Sequence, residues 1–167
     1  MKKLLFLLFL TAVIGACGTP AFFLRDVNQN LSHSMAVANF DTSKGQHVFW
    51  GGTILSGKNL KNTTELVILA YPLNNYGEPL KDTSSYGRFV AVFQGYLELG
   101  EYAKDRRVTM VGQLTALRKG KVGERKYTYP VLNIRQTRIW IDEPDVLYDD
   151  SHIRFHFGVG VYRHHHW

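Results

Sequence analysis

Side chains suited to chemistry are few in this 167-residue chain, and they are unevenly placed. The one thiol, Cys17, stands directly behind an apolar run. Of seven histidines, five (His152, His156, His164, His165 and His166) fall in the last sixteen residues. A pair four apart followed by a triplet could gather zinc, nickel or copper, but a structural metal site needs a closed, supported ligand set that a terminal run does not supply. These histidines are weak metal candidates, and no metal or other cofactor is expected beyond covalent lipid. Glu98, Glu101 and Asp105 share one segment without the paired arrangement that acid–base catalysis needs, so they read as solvated loop charges. Neither G-x-S-x-G nor H-E-x-x-H occurs.

Two glycine clusters, Gly51-Gly52 and Gly120 to Gly123, could be imagined as phosphate cradles. Neither opens a helical pattern, and such a cradle depends on free amides at a helix N-terminus. A strand bulge at the first and a hairpin loop at the second are expected instead. The loop, "RKGKVGERK", is rich in cations. Together with Arg88, Arg106 and Arg107, and with Phe89, Tyr127 and Tyr129 nearby, it superficially suits single-stranded nucleic acid.

The N-terminus removes that target. Lys2 and Lys3 precede the apolar run Leu4 to Ile14, and the small residues Gly15 and Ala16 precede Cys17. This is the three-part plan of an export leader, with an apolar stretch far short of the roughly 20 residues a spanning helix requires. Ile14-Gly15-Ala16-Cys17 resembles the bacterial lipobox, whose cysteine carries S-diacylglycerol and, after cleavage, an N-acyl chain. Three chains hold a protein firmly where one holds it marginally. The resemblance thus assigns Cys17 to anchorage and leaves no thiol for catalysis or redox chemistry. Gly18, rather than Asp, favours onward transport to the outer membrane. With Lys2 and Lys3 removed, 18 basic residues face 14 acidic ones, a mild excess. The basic loop is then better suited to anionic lipid or lipopolysaccharide headgroups, and no nucleic-acid partner is expected.

Residues 1–16 are read as the leader and 17–46 as the lipidated N-terminus and a tether, with one short helix around Leu31 to Ala38. From His47 onward, β-branched and aromatic runs alternate with Gly, Asn and Pro punctuation, giving five strands: "HVFWGGTIL", "TTELVILAYPL", "GRFVAVFQ", "RVTMVGQLTAL" and "YTYPVLNIRQTRIW". In the fourth, Val108, Met110, Gly112, Leu114 and Ala116 share one face and Thr109, Gln113 and Thr115 the other. The fifth slips phase between Ile134 and Ile139, which predicts a bulge. Five strands with little helix suit an all-β fold, a small five-stranded OB-like Greek-key barrel over 47–141 with an N-terminal tether. Residues 142–167 then form an acidic linker and a flexible His- and aromatic-rich tail. Trp50, Tyr71 and Tyr129 are the candidate face for a ligand or partner.

The lipobox, "FWGGTI", "LAYPLNNYGEP", "GRFV", "YAKDRRVTMVGQLT", "KGKVGERKYTYPVL" and "RIW", in this order, resemble the Slp family of starvation-inducible outer membrane lipoproteins. The resemblance implies a lipid-anchored outer membrane protein of a Gram-negative cell envelope, active in starvation or envelope stress, with no established catalytic activity, substrate or cofactor. The chain is therefore read as a non-enzymatic binding or structural domain facing the periplasm, with outer membrane lipid and envelope proteins or glycans as partners. The alternatives are a periplasmic hydrolase with an unrecognised site and a metal-binding envelope protein acting through the tail. The "RHHHW" ending departs from the family pattern, so its histidines inherit no family role.

Overall fold

Alternation of apolar and polar residues builds strands that must bury one face, and here five of them close on each other. The computed structural model describes residues 22–141. The strands are β1 (His47–Asn59), β2 (Thr63–Tyr71), β3 (Gly87–Gln94), β4 (Arg107–Val122) and β5 (Arg125–Trp140). They form a closed barrel in the order β1-β2-β3-β5-β4, with every neighbouring pair antiparallel except β3 and β5. This is the five-stranded OB-like Greek-key arrangement expected from strand count and spacing. Val48, Trp50, Ile54, Leu66, Ile68, Phe89, Val108, Met110, Leu114 and Leu132 fill the interior, so the barrel is a packed core without a lumen.

Three skipped residues bend the sheet. The register jumps past Leu55 in β1, past Thr115 in β4 and past Arg135 in β5. The last lies in the window where the apolar phase slips. The skip at Thr115 corrects the expectation for Ala116: one extra residue reverses the alternation, so Ala116 is exposed and not interior. Gly51 and Gly52 likewise are not a bulge. They pair regularly on both sides, and they are glycines because backbones approach closely: a Cβ on Gly52 would lie 1.9 Å from the Leu69 carbonyl oxygen.

The basic loop is also strand. The β4–β5 ladder runs unbroken to Val122 and Arg125, so only Gly123 and Glu124 make the turn. Gly123 has φ +58° at the first central position, as a type II′ turn requires. The resulting arm outruns the barrel and folds over the outer face of β2 and β3. There Val122, Tyr127 and Tyr129 join Val67, Val90, Val92 and Val131 in a second apolar cluster. Arg118 holds the arm down with two 2.8 Å hydrogen bonds to Glu65, which Lys58 also approaches at 3.2 Å. The Tyr127 hydroxyl accepts from the Arg88 backbone N–H at 2.6 Å.

Part of the segment read as tether belongs to the domain. Two short helices, α1 (His33–Ala38) and α2 (Phe40–Ser43), follow an N-cap in which Ser32 Oγ accepts from the Met35 N–H. Leu31 and Ala36 are buried in the barrel core, and the Trp50 indole N–H donates to the Leu31 carbonyl at 2.9 Å. His33 is buried beside Trp50 and donates from Nε2 to the Arg88 carbonyl at 2.6 Å. The opposite end of the barrel is closed by Leu97, Leu99 and Tyr102 from the β3–β4 connection.

Two contacts make stability depend on pH. Arg118 first, and then Lys58, hold the Glu65 carboxyl down from 4.5 to about 2. Its contribution is therefore complete above pH 4.5 and is lost as pH falls towards 2. Glu65→Gln should cost about 1–2 kcal/mol at pH 7, the half-exposed Arg118 being partly screened. Urea titrations of variant and wild type should converge in that acid window. Burial pushes His33 below its ordinary 6.5, so the unfolded chain takes up this proton more readily. Stability should decline as pH drops below about 6.5, and melting curves of His33→Gln should lack that slope.

Candidate functional site

OB barrels ordinarily receive ligands on the face of strands 2 and 3, between the β1–β2 and β4–β5 loops. Here the β4–β5 arm occupies that face, with Arg118 on Glu65 and Val122 in the cluster that contains Val67 and Val90. Among the described residues, two grooves lie at the end of the barrel where β2 finishes and β3 begins.

The first encloses about 540 Å³. Its floor is Trp50, Gly51 and Ala70, one wall is the segment from Gln29 to His33, and the other runs from Tyr71 to Gly77 with Tyr86 at the rim. The first wall is set by Asn28, whose Oδ1 accepts from the N–H groups of Asn30 and Leu31, and by the Trp50 to Leu31 hydrogen bond. The second is a braced turn. Asn74 Oδ1 accepts from the N–H groups of Tyr76 and Glu78, and Glu78 is paired with Arg107. The buried Thr109 hydroxyl donates to the Gly77 carbonyl and accepts from the Trp140 indole at 2.9 Å. The tryptophan that ends "RIW" thus fixes a groove wall formed by a distant loop.

Apart from tyrosines and His33, whose pKa burial lowers, no ionisable side chain lines this groove. Its surface offers the rings of Tyr71 and Tyr86, with the nearly buried Trp50 beneath, beside the amides of Gln29, Asn30 and Asn75. Those three amides make no side-chain hydrogen bond among the described residues, so they are available to a ligand. The second groove, about 530 Å³, lies under the arm, where Arg88, Arg125 and Lys126 surround Leu69 and Val122.

Of the expected face, Trp50 and Tyr71 come together in the first groove, but Tyr129 does not. It belongs to the arm and packs edge-on against Tyr127 at 4.7 Å in the outer cluster, its hydroxyl donating to the Lys121 carbonyl. An extended loop, as expected at 118–126, would leave Tyr129 near the rim; a strand carries it onto the outer face. Glu98, Glu101 and Asp105 are exposed and line neither groove; Glu98 accepts from the Tyr96 hydroxyl and the Gly100 N–H. Gln29, Asn30 and Asn75 are read from sequence as tether and loop. Ile14, Gly15, Ala16, Cys17 and the histidines from His152 to His166 lie outside the described residues, among which no metal-binding group of His, Cys, Asp or Glu occurs.

Comparison with known proteins identifies the family. An uncharacterized protein of Haemophilus influenzae is 37% identical over 91 residues, 54% of this chain and 49% of that protein. The uncharacterized lipoprotein YeaY of Escherichia coli is 29% identical over 96 residues, 58% of this chain and 49% of its own. Outer membrane protein Slp of Escherichia coli is 24% identical over 143 residues, 84% of this chain and 76% of its own. The match thus spans about half the length of the first two relatives. The outer membrane lipoprotein Slp family model covers residues 14–167. The chain therefore belongs to the Slp family of outer membrane lipoproteins.

Proposed function

We propose that this lipoprotein is a binding module, not an enzyme: acyl chains on Cys17 hold it to the outer membrane, and the groove at Trp50 and Tyr71 takes an uncharged, polyhydroxylated ligand, a glycan of the envelope. The observation that carries this reading is the lining of that groove. Aromatic rings offer flat apolar faces for the C–H side of a sugar, and the free amides of Gln29, Asn30 and Asn75 match hydroxyl groups that both donate and accept. A charged ligand would find no counter-ion there. The family resemblance supports placing this role in starvation or envelope stress, with the domain facing the periplasm. Envelope proteins remain partners of the same module, no nucleic acid is required, and no cofactor beyond the lipid on Cys17 is involved.

Two measurements test the proposal. Titration of the leaderless, unacylated Cys17→Ser chain with N-acetylglucosamine oligosaccharides should quench tryptophan fluorescence saturably. Tyr71→Ala or Tyr86→Ala should weaken binding about tenfold, the loss of one stacked ring. Absence of saturation would remove the glycan reading. Turnover of the same oligosaccharides that disappears in Glu101→Gln would establish the hydrolase instead. Separately, mass spectrometry of the mature protein should find the leader removed and Cys17 carrying diacylglycerol and an N-acyl chain. A bare N-terminus would refute the anchor.

A further inference from the structure

The β4–β5 arm carries an electrostatic cost that the fold itself does not require. Lys121 and Lys126 stand directly opposite each other in the ladder, a like-charge pair that destabilises a strand pairing. Arg125 and Lys119 lie close by, and the one acid from Arg118 to Lys126 is Glu124. Arg118 alone is neutralised, by Glu65. Because the arm curls over the sheet, Arg125 and Lys126 of the arm and Arg88 of β3 line one groove of about 530 Å³ together with Leu69 and Val122. No acidic residue lines it, and these three cations have no carboxylate partner among the described residues. The Tyr127 hydroxyl, in the same lining, accepts from the Arg88 backbone N–H and so ties β3 to the arm at this groove. Three cations and two apolar side chains in one lining suit a phosphate that continues into hydrocarbon.

The tether brings such a ligand within reach. Phe22 is held on the barrel, edge-on to Phe49 at 5.0 Å and 5.1 Å from the Arg138 guanidinium. Cys17 is five residue steps from Phe22, at most about 18 Å of chain. An anchored domain therefore cannot leave the neighbourhood of the headgroups, where basic residues are attracted within a Debye length of about 8 Å.

We propose that the groove of Arg88, Arg125 and Lys126, with Lys119 and Lys121 beside it, docks on anionic phospholipid of the leaflet that holds the anchor. Headgroup phosphate sits among the three cations, and the glycerol end lies against Leu69 and Val122. The docking rests on the Cys17 anchor for its local concentration but is a property of the folded domain, so the unacylated chain tests it separately.

The leaderless Cys17→Ser chain, through Trp167, should co-sediment with vesicles of phosphatidylglycerol in phosphatidylcholine at low salt and lose this binding steeply as salt is raised. The Arg88→Gln/Arg125→Gln/Lys126→Gln variant should bind about tenfold or more weakly while keeping its melting curve, and Arg106→Gln, on the β3–β4 connection, should bind normally. Equal binding to pure phosphatidylcholine, or full binding by the triple variant, would overturn the inference. So would displacement by millimolar inorganic phosphate at constant ionic strength, which would mark a free-phosphate site. Binding seen only after neutralising Asp142, Glu143, Asp145, Asp149 and Asp150 would also overturn it, by assigning the groove to the chain's own acidic segment. If the vesicle result stands while Cys17 proves bare, the docking site survives and the anchor does not.

Discussion

Closure of the barrel rests on three parallel residue pairs between β3 and β5: Val90 with Val131, Ala91 with Leu132, and Val92 with Asn133. Every other neighbour is joined by a longer antiparallel ladder that a hairpin or a simple return can supply. The parallel seam is different, because the chain must cross from one side of the sheet to the other before β5 can reach β3. The skips at Leu55, Thr115 and Arg135 are what let five strands curve far enough for the seam to form. Interior packing then holds it, with Phe89, Ala91 and Leu132 beside the seam on the core side and Val90 and Val131 on the outer side.

The short seam has a consequence for what lies outside. It uses only a small part of β5, whereas β4 and β5 pair along fifteen positions, so the remainder of that ladder has to go somewhere. An arm projecting into water would expose Val122, Tyr127 and both faces of a two-stranded ribbon, which is marginally stable alone. Folding back over β2 and β3 buries those residues against Val67 and Val92 and brings Arg118 to Glu65. The same movement covers the face on which OB barrels usually bind. The two grooves lie instead at the end of the barrel, where the N-terminal segment and the β2–β3 loop meet and where the tip of the arm reaches β3.

What could be seen in the sequence follows from what alternation measures. Period-2 patterning reports which face a side chain takes, so the five strands and the disturbance in β5 were legible from apolar runs alone. It does not report where a residue is skipped, and Ala116 therefore goes to the wrong face once Thr115 bulges. Charge and glycine content report exposure, not backbone conformation. "RKGKVGERK" is indeed exposed, yet it is strand up to a two-residue turn, and that error also misplaces Tyr129. Asn and Ser between Asn28 and Ser43 suggest a tether because they are polar, but several of them cap and turn the chain. Asn28, Ser32 and Asn39 bond to nearby backbone or end a helix, and this lets Leu31 and Ala36 reach the core. The first groove was half legible: Trp50 and Tyr71 stand out by type, whereas its amides become visible only when three separate segments meet.

The basic residues divide by a simple criterion, whether a carboxylate faces them. Arg118 and Lys58 share Glu65, and Arg107 is paired with Glu78, so these charges are consumed in holding the arm and the β2–β3 loop in place. Arg138 lies over the rings of Phe22 and Trp140, which ties the start of the domain to the end of β5. Of the rest, Lys119, Lys121, Arg125 and Lys126 share the arm and Arg88 faces it across a groove, whereas Arg25, Lys44, Lys61, Lys104 and Arg106 are spread over the remaining described surface. A structural charge tends to find its partner within the fold, because an uncompensated one near apolar surface is costly. Residues that stay unmatched beside an open groove are the ones the proposed docking would use, if the proposed anchor on Cys17 holds the domain near a bilayer.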